Sequence, residues 1–294
     1  MKNIYFFLAL LLGLSAQADN NSLTLNSHLA EKSQATTLSF QPSFYQFLEQ
    51  FDFDLSFDAT RIRSQVSYNA NVDDFTIEKN STSVGLDIFW NKLLGLGFDG
   101  MSERVNDGGA KSTGFTARAK IKIDDVSFKY SLSDLYIRQK DDFYVLNNEI
   151  KGQLTVRQNR QTVSVNLAGL ESCFISVSYS QYKYDTDVVT MNSLLSAKPV
   201  LLRNGADFLS QIYSLIENDL HADFTFNFSD SYDLEFGVGE STDYLEPKTK
   251  SNDLRIGTTV YFKSFDLGLG ASAVKPTNVD ETLYSGDLRL TYLF

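Results

Sequence analysis

The chain has 294 residues, of which 43 % are hydrophobic and 21 % charged with only 4 Pro, material for one or two folded domains and not for a disordered chain. Lys and Arg number 26 against 37 Asp and Glu, and the resulting net charge of -11 repels a nucleic-acid backbone, so no nucleic-acid partner is expected. Past the first residues no apolar run approaches the roughly 20 residues of a transmembrane helix, while 23 Phe and 15 Tyr favour strands.

Residues 1-18 read as a secretory signal peptide. Lys2 supplies the positive start, Ile4 to Leu14 is an uncharged apolar stretch, and Ala16-Gln17-Ala18 offers small residues for cleavage before Asp19. Cys173 is the only cysteine, so the exported chain is held together without an internal disulfide. Residues 19-50 are polar and weakly patterned, which predicts a periplasmic lead or partial plug, or alternatively a mobile tail, ahead of a structured unit over 51-294.

From Phe51 onward short alternating runs are separated by turn residues. Val84, Leu86, Ile88 and Trp90 alternate with Ser83, Gly85, Asp87 and Phe89; after Asn91-Lys92, Leu94, Leu96 and Phe98 alternate with Gly95, Gly97 and Asp99. That pattern is a hairpin. Phe115 to Ile123, Val126 to Leu132, Ile150 to Val156, Val163 to Leu167, Ile175 to Tyr179, Leu220 to Phe228, Tyr232 to Val238, Leu254 to Phe262, Phe265 to Ala273 and Leu288 to Phe294 repeat it. Phe51, Phe53, Leu55 and Phe57 have the opposite parity to Ile62, Val66 and Tyr68, which predicts a bulge or turn near Ala59.

The connections are asymmetric. Tight turns are expected at Asn91-Lys92, Asp124-Asp125, 158-160, 229-231 and Lys263-Ser264, and longer polar loops at 105-112, 139-142, 241-251 and 274-281. Phe89 and Trp90, Phe228 and Tyr232, Phe262 and Phe265, and Tyr292 and Phe294 flank the tight turns as one aromatic girdle. The segment 205-218 breaks the rhythm: Leu209, Ile212, Tyr213 and Ile216 have helical spacing, predicting a short amphipathic helix in a loop, lying on the rim or folded inward.

These features together resemble the Gram-negative outer-membrane β-barrel class, porins included. The most specific element is the last strand, where Leu288, Leu290, Tyr292 and terminal Phe294 match the class's C-terminal signature. The resemblance implies an all-β, up-and-down antiparallel transmembrane barrel, contact with outer-membrane lipid, and reading of that strand by the barrel-assembly machinery. Parity predicts about 14 strands, counting a weak one near 188-196, with 12 as the alternative.

If apolar residues face lipid, a basic set points into the lumen from the first half: Arg118, Lys120, Lys122, Lys129, Lys151 and Arg157. An acidic set, Asp223, Asp233, Glu235, Asp266 and Asp287, points inward from the second half, joined by Asp52, Asp54 and Asp58 if the strand carrying them neighbours the last. Arg255 and Arg289 interrupt it. Opposed walls of this kind would line a pore for small solutes or, alternatively, fill a closed barrel with salt bridges. Gly95, Gly97, Gly268 and Gly270 read as small residues that leave curvature or lumen space.

Enzymatic activity is not expected. His221 and Asp223 have a spacing that resembles the His/Asp pair of the outer-membrane omptin proteases, but the acidic Asp52 and Asp54 would lie near the opposite rim, and His28 falls in the lead, outside the expected barrel. The His-x-Ser pattern of the outer-membrane phospholipases is absent, and no metal cluster, phosphate loop or cofactor motif appears. The expected function is a porin-like channel for passive diffusion of small polar solutes, with lumen charge and the loop helix setting selectivity. The alternative is a closed structural or adhesion barrel whose loops carry the activity.

Overall fold

The computed structural model describes residues 20-30, 33-44, 50-66, 75-105, 110-145, 148-170, 172-185, 215-244, 249-277 and 282-294. Among these residues fourteen strands are formed: β1 (Asn20–Ala30), β2 (Ser33–Phe44), β3 (Phe51–Val66), β4 (Phe75–Trp90), β5 (Leu94–Val105), β6 (Ala110–Ile123) and β7 (Val126–Val145). They continue as β8 (Asn148–Leu170), β9 (Cys173–Tyr184), β10 (Ile216–Ser229), β11 (Tyr232–Asp243), β12 (Lys250–Tyr261), β13 (Phe265–Pro276) and β14 (Leu283–Leu293). Each strand pairs antiparallel with its neighbours in sequence, and β1 pairs with β14 to close a barrel. Closure satisfies every strand edge, as hydrocarbon surroundings require.

Burial is inverted relative to a water-soluble sandwich. Leu96, Phe98, Leu254, Ile256 and Leu269 stand exposed on the outer surface, while their inward neighbours along the same strands include Gly97, Asp99, Arg255, Gly257 and Gly268. The period-two alternation therefore puts apolar side chains toward lipid and polar ones into the lumen. The turns after Trp90, Ile123, Ser229 and Tyr261 gather at one end, beside the start of β1 and the end of β14. At the β4–β5 turn Asn91 and Lys92 both have positive φ, 49° and 57°, the two-residue geometry that matches strand twist, and the Leu93 amide donates to the Trp90 carbonyl at 3.0 Å.

Several sequence expectations are corrected. Residues 20-44, within the expected lead or plug, form β1 and β2, because Leu23, Leu25, Leu38 and Phe40 give this hairpin enough outward apolar positions to seal the barrel between β14 and β3. His28 consequently lies in the barrel. No turn interrupts β8 at 158-160, nor does a bulge occur at Ala59, since the β7–β8 and β3–β4 registers run unbroken. Residues 139-142 belong to β7, which together with β8 makes a tall hairpin.

The expected strand near 188-196 lies outside the described residues, as does 205-214 of the expected helix. Ile216 to Asn218, the end of that segment, begin β10 instead, held by ladder bonds to β11 and, at Asn218, to β9. Of the girdle, Trp90, Phe228, Phe262 and Tyr292 face outward at the turn end, and Phe262 stacks on Phe265 at 4.3 Å. Phe89 is the exception and points into the lumen, one residue out of phase with Trp90.

Candidate functional site: the charged lumen

Two cavities bearing charged side chains lie in the lumen among the described residues. The first, about 670 Å³, is enclosed by inward residues of β2 to β8 and carries the carboxylates of Asp54, Asp58, Asp87 and Asp99 with the cations of Arg118, Lys120 and Lys129. The second, about 420 Å³, carries Asp223, Glu235 and Asp287 with Arg255, Arg289 and His28. The expected basic and acidic walls are thus not segregated; each cavity mixes both signs. Alternation places most of these residues on the correct face but not beside the correct neighbours: β1 and β2 separate β3 from β14, so Asp54 and Asp58 line the same cavity as Arg118.

Glycine is what lets opposite charges meet. Asp87, Gly97 and Arg118 are cross-strand partners in one row over β4, β5 and β6. Arg118 Nη2 reaches the Asp87 carboxylate at 2.9 Å across the glycine, and its Nη1 is hydrogen bonded to Asp99. A Cβ at Gly97 would run into Asp87 and lie 2.8 Å from Arg118 Nε. The same row geometry recurs as Asp223, Gly237 and Arg255 over β10, β11 and β12. There Arg255 Nη2 is 3.3 Å from Asp223, and a Cβ at Gly237 would lie 2.6 Å from that carboxylate.

Side chains from strands two apart therefore touch through the gap a glycine leaves, which narrows the lumen with ion pairs while keeping it polar. Arg289 extends this pattern, with Nη2 2.7 Å from Thr259 Oγ1 and 3.3 Å from Glu235. His28 Nδ1 meets Asp287 at 2.6 Å. Lys120 lies over the Phe89 ring, 5.6 Å from its centroid.

The remaining predicted residues are distributed unevenly. Asp233 is buried and accepts a hydrogen bond from the Tyr261 hydroxyl at 2.5 Å. Asp266 stands opposite Tyr261 and Thr291 near the turn end, and Lys122 faces Ser127 in register there; neither lines either of these two cavities. Arg157 does not face the lumen. With β8 continuous it shares the outer face with Val163, is exposed, and donates to Asp134 from Nε at 2.8 Å. Lys151 holds a place in β8 opposite Asp142, and its side chain lies outside the described residues. Leu288, Leu290, Tyr292 and Phe294 are exposed on the outer surface, with Tyr292 and Phe294 stacked at 5.5 Å.

His221 and Asp223 do not form a dyad. His221 lies between Asp219 (3.5 Å), Asp253 (3.4 Å) and Arg255 (3.1 Å), and the Asp223 carboxylate turns to Arg255. Residues that the sequence reading left out of the site are Asp87, Asp99 and His28, although Asp87 and Asp99 already had inward parity beside Gly85 and Gly97. At the outer end of the lumen Ile137, Val156 and Leu215 make a buried apolar cluster with Tyr184 and Tyr244 against it. Leu215, the residue leading into β10, is 3 % exposed.

No protein-family model and no curated protein matches the chain. Among solved structures, a FadL homologue from Pseudomonas aeruginosa is similar over 93 % of this chain and 88 % of that one, with a TM-score of 0.54 and 10 % identity. OmpT, an outer membrane protein of Vibrio cholerae solved as a loop L8 deletion mutant, is similar over 94 % of this chain and 98 % of that one, with a TM-score of 0.51 and 8 % identity. At such identities the likeness is one of fold: a bacterial outer-membrane β-barrel, in agreement with the closed sheet and its apolar belt.

Proposed function

We propose that this barrel is a channel for passive diffusion of small polar solutes or ions, with selectivity set by lumen charge and without enzymatic chemistry. One observation carries the reading: the interior holds two charged cavities of about 670 and 420 Å³, each bearing one more carboxylate than Lys or Arg among its lining residues. A lumen built only to be filled would pair off all its charges, as Asp223–Arg255, Glu235–Arg289 and His28–Asp287 do in the second cavity, but the first is not built that way. Instead Lys120 and Lys129 share the first cavity with Asp54 and Asp58, so fixed charge of both signs faces water. Such charges attract counter-ions, and the surplus carboxylates favour cations.

The substrate class is small and hydrophilic. The engaged Arg118 and Arg255 clamps restrict the cross-section, and the cavities match molecules of a few water diameters rather than polymers or lipids. Residues 1-18 serve as the export signal, and the outward Leu288, Leu290, Tyr292 and Phe294 as the assembly signal read by the barrel-assembly machinery. The second reading is a closed structural or adhesion barrel, favoured by the Ile137–Val156–Leu215 cluster that fills part of the lumen at its outer end.

Single-channel recording of the refolded full chain in planar bilayers decides between them. Discrete conductance steps that prefer K⁺ to Cl⁻ are expected. A barrel that inserts stably, shows heat-modifiable mobility on gels and conducts nothing would remove the channel reading in favour of the closed one.

A further inference from the structure

The outward faces of β3 to β7 change character at a nearly constant distance from the tight turns. Arg61 is ten residues from Phe51 at the turn end of β3, Arg104 is ten from Leu94, Lys111 is twelve from Ile123, and Arg138 is twelve from Val126. At about 3.3 Å per residue and a strand tilt of about 40°, ten residues climb roughly 25 Å, the height of the apolar band. These cations therefore stand where the headgroups of the outer leaflet begin. Below Arg104 and Lys111 the same face carries Phe98 and Phe115, exposed and stacked at 6.0 Å.

Arg104, Lys111 and Arg138 are also direct cross-strand partners: Arg104 faces Lys111, and Lys111 faces Arg138. All three are exposed. Partners in such a row have Cβ atoms about 4.5–5.5 Å apart, and like charges so placed repel. Among the described residues, the nearest outward carboxylates on either side are already engaged. Glu78 is 2.6 Å from Arg61 and 3.4 Å from Arg63, and Asp134 accepts from Arg157. Neither Arg104 nor Lys111 has a carboxylate within ion-pair distance among the described residues. Across the barrel the outward Lys250 is matched by Glu240 at 2.7 Å, and the outward Lys275 faces Asn252 rather than another cation, so the row of adjacent cations belongs to β5, β6 and β7.

We propose that Arg104, Lys111 and Arg138 form a binding site for a phosphate-bearing lipid headgroup of the outer leaflet, whose acyl chains lie on Phe98 and Phe115. A phosphate oxygen cluster relieves the repulsion along the row. Arg104 and Arg138 suit forked contacts to phosphate and Lys111 supplies a point charge between them. The site is on the outer wall, so it is independent of whether the lumen conducts.

Native mass spectrometry of the refolded full chain, with a bisphosphorylated glucosamine lipid (lipid A) as probe and phosphatidylcholine as the neutral comparison, tests it. Wild type should hold the phosphorylated lipid in preference to phosphatidylcholine. Arg104→Gln with Lys111→Gln should weaken that binding about twenty-five-fold, at about five-fold for each charge removed near the surface. Arg104→Lys with Lys111→Arg should keep it, as should Lys250→Gln, and heat-modifiable mobility shows that each variant is folded. Equal binding by the folded double Gln variant, an equal loss in Lys250→Gln, or complete displacement by excess inorganic phosphate would each overturn the assignment.

Discussion

Replacing Arg118 by Gln isolates the electrostatics of the first cavity. Four carboxylates face three cations there, and the substitution leaves two, so the surplus of negative charge doubles. One uncompensated elementary charge in about 670 Å³ corresponds to a fixed-charge concentration of about 2.5 M. That figure exceeds 0.1 M salt by more than an order of magnitude, so the effect on ion content is large at low salt. The ratio of cation to anion permeability, read from the reversal potential under a KCl gradient, should rise several-fold in Arg118→Gln. The change should shrink in 1 M salt, where the Debye length is about 3 Å rather than about 10 Å. Arg118→Gln combined with Asp87→Asn restores the wild-type surplus and should restore the wild-type ratio, while Asp54→Asn alone should lower it. If Arg118→Gln and Asp54→Asn both conduct with the wild-type reversal potential at 0.1 M, permeating ions do not traverse this cavity and the reasoning fails.

The row geometry predicts that Gly237→Val separates Asp223 from Arg255, because the new side chain occupies the space between them; the variant should melt at lower temperature, and an unchanged melting curve would contradict the role given to the glycine gap. Leu269→Arg, on the lipid face near mid-belt, should cost on the order of 2–4 kcal/mol in lipid-based urea titrations, whereas Ser272→Arg on the lumen face should be tolerated. Equal losses would show that the two faces are misassigned. Deleting Phe294 should lower the amount of assembled barrel in the outer membrane far more than the roughly 1.5–3 kcal/mol worth of one buried Phe explains, and normal levels would argue against an assembly signal there. N-terminal sequencing of the mature chain should begin at Asp19.

The face of most strand residues was legible in the sequence, because alternation is a local property: a side chain at i and one at i+2 share a side whatever the strand pairs with. Leu94, Leu96 and Phe98 therefore announced a lipid face, and Arg118, Lys120 and Lys129 a lumen face, before any neighbour was known. Parity also led to about fourteen strands, though through a different set of segments. It failed for Arg157, where Val156 and Val163 have opposite parity and a turn was inferred between them. In the structure Val156 faces inward, against Ile137 and Leu215, so an apolar residue with a lumenal partner had mimicked a lipid-facing one.

What the sequence could not determine is which strands become neighbours. Residues 20-44 look too polar to be membrane strands alone, but a closed barrel needs only about every second residue to be apolar, and pairing to both β14 and β3 satisfies their backbone groups. Inserting that hairpin moved Asp54 and Asp58 away from β14. The contacts of the candidate site, Asp87 to Arg118 across Gly97 and Asp223 to Arg255 across Gly237, join residues 31 and 32 positions apart on strands that are not even adjacent. Composition set the charges and alternation set their side; the register of three consecutive strands, fixed by hydrogen bonds and turn lengths, decided which of them meet.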